Sequence, residues 1–396
     1  LAWKVFSKSL LVSHLSMLPF LWLMVVTFVY IMQKITLSTI ARIIGLILLL
    51  LHPYIITQST MISYDIVQIA FFLLAIIGIL ENKKSFLIIG LWGLIACSVR
   101  GQLIAILCLS AYCVIYFKSW KQFPFLILIS ITPIIAWHFY HYYITGWMIS
   151  TPSTTWESQR SFANLQQVLS NIIGITRGFV DYGIFALSLA FLIVLNSFRK
   201  TNWSEIEKKL TIILLIVFIG INGSMLFFSN PIGHRYFMIF HVIMILLIVS
   251  KLEQIKYFKI ISLLLIITFI SGHFFLYSNE RSNGWDVTLK YISYEKNRNQ
   301  FWNYLSENNI SASEIQSAFP LFCSLQQTNL NEGERLLDIS ETSQKTPSYI
   351  AFSPVCNDMK GFTFIQNDKK YQLVKKFGEG KTAISLYQPK KLIQKK

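Results

Sequence analysis

The chain has few charged side chains for its length. Asp, Glu, Lys and Arg make up 14% of its 396 residues, and hydrophobic residues make up 54%. Soluble globular domains carry about 25% charged residues, so the composition excludes an ordinary soluble protein. The chain is predicted to be an integral membrane protein, with the lipid bilayer as its first partner.

Acidic side chains are especially scarce. The chain has 19 of them against 35 Lys and Arg, which gives a formal net charge of +16. A basic excess can indicate nucleic-acid binding, but these basic residues flank apolar segments and form no single basic block. The sequence therefore predicts no nucleic-acid partner.

Cysteines are also few, and their spacing with histidines matches no common metal site. Three of the five, Cys97, Cys108 and Cys113, lie in apolar segments, where cysteine behaves as a small hydrophobic residue. Cys323 and Cys356 fall in the polar C-terminal region and are candidates for a disulfide in an oxidising compartment. No cofactor is indicated, and a divalent metal stays open.

The apolar segments lack the polar–apolar alternation of membrane strands. They are predicted to be helices, because backbone groups in hydrocarbon must satisfy their own hydrogen bonds. Crossing the hydrocarbon takes roughly 20 residues, and about ten segments approach that length. They are residues 10–32, 40–52, 66–80, 86–98, 103–117, 123–140, 178–197, 210–228, 236–250 and 260–277. The predicted fold class is therefore an all-α polytopic membrane protein of about ten transmembrane helices.

Basic residues are concentrated on alternate connections between these segments. By the positive-inside rule the basic connections are cytoplasmic, and we expect a bacterial inner membrane. The basic set is Lys34, Arg42, Lys83, Lys84, Lys118, Lys121, Arg199, Lys200, Lys208, Lys209, Lys251, Lys256 and Lys259, and the opposite set is Arg100, Arg160, Arg177 and Arg235. Residues 1–277 are then the transmembrane domain.

Residues 278–396 are predicted to form a small external α/β domain. Their composition is polar, with a helix near residues 295–307 and short strands at 315–319, 349–353, 371–377 and 382–388. The sequence GEGKT at 378–382 lacks the first glycine of a phosphate loop, so it is interpreted as a hairpin turn between the last two strands.

Ionisable and aromatic residues gather at the predicted external ends of the helices. The largest group interrupts the apolar sequence between Leu51 and Asp65. The whole set is His52, Tyr64, Asp65, Arg100, His234, Arg235 and Tyr236. Arginines bind phosphate oxygens, and a carboxylate binds a sugar hydroxyl, holds a metal or takes a proton. If these residues converge in space, they suit transfer of a group from a phosphorylated carrier.

The order of these residues resembles that of the GT-C membrane glycosyltransferases. It is similar in particular to the branch related to the protein O-mannosyltransferases and the aminoarabinose transferases of lipid A. The resemblance lies in WKVF from Trp3, with His14 further on, HPYIITQSTMISYD at 52–65, VRG at 99–101 and HRYF at 234–237. An external domain after the last helix also fits this family.

The resemblance implies a function in the cell envelope. It implies a polyprenyl-phosphate sugar donor and a lipid, glycan or protein acceptor on the outer face. Asp65 matches an acidic catalytic residue of the family, and Arg100 and Arg235 match basic positions near the lipid phosphate. His52, Tyr64, His234 and Tyr236 are the remaining candidates for binding substrate.

One departure from the family concerns the start of the chain. The main catalytic acid of the family lies in the first external loop, and this chain begins at Leu1, downstream of that position. We therefore expect an N-terminally truncated member, which is inactive if the missing loop is essential.

Two other functions stay open at this stage. A multi-pass transporter predicts internal repeats and helices broken near the bilayer midplane, and the sequence has no clear repeat. A non-catalytic protein of envelope assembly needs no convergent polar site, so scattered positions of Asp65, Arg100 and Arg235 would favour it.

Overall fold

The computed structural model describes residues 2–148, 161–197, 203–229, 232–251, 254, 257–277, 284–321, 336–338, 348–356 and 370–390. These residues are mostly helical and end in a small sheet. The chain divides into two compact units. The helical unit is Ser16–Gly272, and the mixed unit combines Leu1–Leu15 with His273–Lys396.

The described residues form fourteen α-helices. They are α1 Ala2–Val5, α2 Leu10–Ile35, α3 Thr39–Leu51, α4 Pro53–Thr60, α5 Tyr64–Leu80, α6 Lys84–Cys97, α7 Val99–Ile115, α8 Phe123–Thr145, α9 Leu165–Gly178, α10 Ile184–Ser197, α11 Glu205–Leu226, α12 Met238–Lys251, α13 Phe258–Gly272 and α14 Tyr291–Glu307. A 3-10 turn, His234–Phe237, leads directly into α12.

Four helical segments are long and apolar enough to cross a membrane. They are α2, α8, α11 and the continuous stretch His234–Lys251. The pair α3 and α4 reaches the same length as one bent span, and α5, α6, α7, α10 and α13 are shorter apolar helices. The prediction of ten spans is therefore not confirmed: in the part of the chain that the structure describes, four or five segments reach spanning length.

The helical unit is built around α12. Every residue of α12 except Ser250 is buried, as expected for a helix that is apolar on all sides. Beside it, α5 and α6 form a closely packed hairpin. A Cβ on Gly78 would lie under 3.0 Å from the backbone of Leu87, and one on Gly90 equally close to Ala75. Glycine lets these two helices approach each other as small residues do in membrane proteins.

From the sequence alone, the polar stretch after Leu51 is interpreted as a simple interruption of the apolar sequence. The structure shows a short helix there. Residues Pro53–Thr60 form a helix, α4, which meets α3 at a bend of 56°. Pro53 stands at the first position of α4, where its missing N–H costs nothing. The bend falls at His52 because the residue before a proline is disfavoured in the helical conformation.

The helix α9 begins after Asn164, whose side chain accepts a hydrogen bond from the backbone N–H of Gln167 at 2.9 Å. This side chain satisfies one of the backbone donors that are left free at the start of a helix.

The described part of the mixed unit contains a five-stranded sheet in the order β2-β1-β3-β5-β4. The strands are β1 Ile315–Ser317, β2 Leu337–Asp338, β3 Tyr349–Phe352, β4 Tyr371–Phe377 and β5 Ile384–Pro389. The antiparallel pair β4 and β5 confirms the predicted hairpin. The two-residue strand β2, parallel to β1, was missed because it has no alternation to recognise.

The apolar side of the sheet packs against α14. Phe301 of α14 and Phe377 of β4 meet edge to face, with ring centroids 5.6 Å apart. Cys356 is buried in the same core. Its predicted disulfide partner, Cys323, lies outside the described residues, so the pairing stays a prediction.

Candidate functional site

The first member of the site, Asp65, stands in the first turn of α5. Ser63 caps this helix: its Oγ accepts the Asp65 N–H at 3.1 Å and donates to Asp65 Oδ2 at 3.0 Å. A carboxylate in a first turn is stabilised by the positive end of the helix dipole. The side chain of Asp65 is only 2% exposed, so a buried negative charge is fixed at this point.

Arg100 occupies the corresponding position in α7. Ser98 caps that helix and accepts the N–H of Gly101 at 3.1 Å. Gln68, one turn into α5, donates from Nε2 to Ser98 Oγ at 2.5 Å and so ties the starts of the two helices together. Arg100 Nη2 donates to Asp65 Oδ1 in an ion pair.

The third element is the 3-10 turn before α12. Arg235 places its Nε 3.7 Å from Asp65 Oδ2. The ring of Tyr236 lies under the Arg100 guanidinium, 4.2 Å from the Arg100 Cζ to the ring centroid, and Tyr64 lies on another side at 5.7 Å. The structure thus brings together Tyr64, Asp65, Arg100, Arg235 and Tyr236, which we call the arginine cluster.

The arginine cluster carries one negative and two positive charges. Arg100 is 17% exposed and Arg235 31% exposed, compared with 2% for Asp65. Among the described residues, the buried Nη1 of Arg100 has no hydrogen-bond partner. A buried guanidinium donor without an acceptor is costly, and an anion that reached it would supply the acceptor. The net charge of +1 and the two nearby helix N-termini favour the same kind of ligand.

The predicted histidines form a separate group around α4. His52 and His241 of α12 have their Nε2 and Nδ1 atoms 3.1 Å apart, and both rings are buried. His234 donates from Nε2 to Asp181 Oδ2 at 2.9 Å. The ring of Tyr54 lies beside the rings of His52, His234 and His241, with centroids 5.2, 6.0 and 5.5 Å away. We call His52, Tyr54, Asp181, His234 and His241 the histidine cluster.

Several residues of these clusters, and the two helix caps beside them, were not predicted from the sequence. Asp181 was detectable as a lone carboxylate near the start of the apolar segment 178–197. His241 lies in the middle of an apolar segment, where an ionisable residue is by default a functional candidate. Ser63 and Ser98 had a helix-cap signal, since each directly precedes the first turn of a helix.

The arginine cluster does not suit a divalent cation. Both carboxylate oxygens of Asp65 face guanidinium or hydroxyl donors, whereas such a cation needs several oxygen ligands and no competing positive charge. In the part of the chain that the structure describes, no three His, Cys, Asp or Glu side chains are grouped to hold a metal ion.

No family model, no curated protein and no solved structure matches the chain. The resemblance to the GT-C enzymes therefore rests on the short sequence motifs alone.

Proposed function

We propose that the chain is a membrane glycosyltransferase that moves a sugar from a polyprenyl-phosphate donor to an acceptor on the outer face of the membrane. The observation that carries this proposal is the arginine cluster. It offers a buried, unsatisfied guanidinium donor on Arg100 beside a second, more accessible guanidinium on Arg235.

The charge of the cluster supports a phosphate ligand. Asp65 neutralises one guanidinium and leaves one positive charge for the ligand. Arginine binds phosphate oxygens with paired, charge-assisted hydrogen bonds, which are roughly twice as strong as neutral ones. Asp65 also fixes the direction of both guanidiniums, so they are arranged before the phosphate arrives.

The surroundings of the cluster support a phosphate that is attached to a lipid. The cluster lies at the start of the apolar helices α5 and α7, next to exposed apolar side chains such as Val99, which is 53% exposed. A lipid tail can lie along such helices while its phosphate reaches the guanidiniums. A water-soluble phosphate would make no contact with the apolar part of this surface.

The proposed reaction breaks the bond between the sugar carbon C1 and a phosphate oxygen. The electron pair of that bond stays on the phosphate, and the acceptor oxygen forms the new bond to C1. Arg100 and Arg235 are placed to stabilise the negative charge that develops on the departing phosphate. A single charge-stabilising donor of this kind contributes on the order of 10²–10³ to kcat.

A transporter has one specific observation in its favour. The bent pair of α3 and α4, with buried His52 at the bend, is the kind of broken helix that transporters use at their binding sites. A non-catalytic envelope protein is less well supported, because Asp65, Arg100 and Arg235 lie in contact and are not scattered.

The test is sugar transfer by the full chain in lipid nanodiscs. Radiolabelled polyprenyl-phosphate sugars are supplied with a membrane extract as acceptor, and release of polyprenyl phosphate is measured. We expect turnover with at least one donor, and a loss of 100-fold or more in Arg235→Ala and in Asp65→Asn.

Arg42→Ala is the matched control, because Arg42 makes its hydrogen bonds to the backbone of Thr36 and Leu37 in the connection before α3. It should keep wild-type turnover. Wild-type rates in both Arg235→Ala and Asp65→Asn would contradict the proposed site, and no turnover with any donor would contradict the proposed function.

A further inference from the structure

Asp65 is poorly placed to take a proton from the acceptor. Its Oδ1 is engaged by Arg100, and its Oδ2 by Ser63 and Arg235. Its side chain is almost fully buried, at 2% exposed. A general base must reach the proton that it removes, and neither oxygen of Asp65 is open to do so.

A second carboxylate, Asp181, has an open oxygen, which Asp65 lacks. Its Oδ2 accepts a hydrogen bond from His234 Nε2 at 2.9 Å. Among the described residues no partner contacts its Oδ1, and its side chain is 20% exposed. Asp181 therefore has one oxygen held in place and one that a substrate can approach.

Asp181 is connected to the arginine cluster through one turn of the chain. Its partner His234 and Arg235, the partner of Asp65, are consecutive residues of one 3-10 turn. Consecutive Cα atoms are about 3.8 Å apart. The turn thus holds one carboxylate through His234 and presents a guanidinium to the phosphate site through Arg235.

The backbone around Asp181 is tightly constrained. Tyr182 has a φ of +55° and Gly183 a φ of +83°, and positive φ is costly for a tyrosine. The ring of Tyr182 packs edge-on against His234, with centroids 5.2 Å apart. A Cβ on Gly183 would collide with the carbonyl of Thr268 in α13. These contacts constrain the backbone that follows Asp181, and the hydrogen bond from His234 orients its carboxylate, as the positioning of a catalytic group requires.

We propose that Asp181 is the general base of this site and that its acceptor substrate is an alcohol, the hydroxyl of a lipid, glycan or side chain. The inference depends on the proposed function. The acceptor O–H bond breaks, its proton passes to Asp181 Oδ1, and the acceptor oxygen bonds to the sugar C1. The C1–phosphate bond breaks at the same time, and the proton then leaves Asp181 for water or for the released phosphate.

The two carboxylates have different roles in the proposed reaction. Asp65 positions the guanidiniums that bind phosphate, and Asp181 acts on the acceptor. Removal of Asp181 therefore lowers kcat and leaves phosphate binding intact, whereas removal of Asp65 weakens phosphate binding.

The experiment compares Asp181→Asn, Asp181→Glu and Asp65→Asn in the full chain in lipid nanodiscs. Turnover is measured with the donors above, and binding is measured with polyprenyl phosphate. General bases contribute typically 10²–10⁴-fold, so we expect kcat to fall at least 100-fold in Asp181→Asn while the Kd stays within twofold of the wild type. Asp181→Glu should recover at least a tenth of the wild-type kcat, because it restores the base.

The outcomes are distinguishable. A kcat within threefold of the wild type in Asp181→Asn overturns the inference and leaves the proposed function standing. Loss of polyprenyl-phosphate binding in Asp181→Asn also overturns it, because Asp181 would then only support the turn. Absence of wild-type turnover with every donor contradicts the proposed function, and the inference fails with it. Glu205→Gln is the control, since its exposed carboxylate pairs with Lys208 at the start of α11, outside both clusters.

Discussion

At the scale of single residues, the carboxylate of Glu81 lies in the connection between α5 and α6 and is held by three partners. Lys83 donates to it at 2.6 Å, Tyr30 at 2.5 Å, and Lys34 lies at 3.2 Å. The hydrogen bonds from Lys83 and then Tyr30 lower the pKa of Glu81 from 4.5 to about 2. Its contribution to stability is therefore complete above pH 4.5 and is lost as the pH falls towards 2.

This predicts a pH-dependent effect of Glu81→Gln. Ion pairs that are partly exposed contribute about 1 kcal/mol or less, so the midpoint of thermal unfolding should fall by about 2–4 °C at pH 6. At pH 2.5 the variant and the wild type should unfold at closer temperatures. Glu314→Gln, on an exposed turn of the mixed unit, is the control and should show no such change. A Glu81→Gln difference that is equally large at both pH values would contradict this assignment.

The residues of the arginine cluster could be found from the sequence, but the placement of the histidines in a separate cluster could not. Asp65, Arg100 and Arg235 each stand at one end of an apolar segment, on the side that the placement of basic residues predicts to be external. His52 was assigned to the same site, but its ring pairs with His241 in the buried helix α12. That pairing depends on the packing of α3 and α4 against α12, which no local pattern encodes.

At the scale of secondary-structure elements, the α5–α6 hairpin depends on glycine. A Cβ on Gly78 has no room against the backbone of Leu87, whereas a Cβ on Gly223 in α11 would meet no atom within 4 Å. Gly78→Ala must push α6 away and should destabilise the chain by 1–3 kcal/mol, the usual cost of overpacking.

Gly223→Ala serves as the matched comparison. It replaces glycine by a better helix former in open space, so it should be neutral or stabilise by about 1 kcal/mol at most. Thermal unfolding of both variants in detergent measures the difference. Equal unfolding midpoints for Gly78→Ala and the wild type would contradict the close packing of α5 and α6.

Sequence patterns predicted the positions of most of the described helices. They predicted fewer of the residues at which these helices begin and end. Apolar runs indicated the positions of α2, α5, α6, α7 and α8. The bend at His52 was not anticipated, although Pro53 supplies the local reason for it. Several helices proved shorter than the roughly 20 residues that cross a membrane, and composition alone cannot distinguish a short apolar helix from a span.

At the scale of the whole molecule, the basic connections between the apolar segments predict the orientation of the chain in the membrane. In a variant whose five cysteines are replaced, Glu307→Cys at the end of α14 should react with a membrane-impermeant maleimide added to intact cells. Lys83→Cys between α5 and α6 should react only after the cells are opened. The reverse pattern would place the arginine cluster on the cytoplasmic side and contradict a reaction on the outer face.

The central claim is that the arginine cluster binds a lipid-linked phosphate. The most direct test is equilibrium binding of polyprenyl phosphate and of the uncharged polyprenol to the full chain in lipid nanodiscs. Charge-assisted hydrogen bonds contribute about 1.5–3 kcal/mol each, so the wild type should bind the phosphate at least tenfold more tightly. Arg100→Gln should remove that preference and Arg42→Gln should keep it. Equal binding of polyprenyl phosphate and polyprenol by the wild type would contradict the claim.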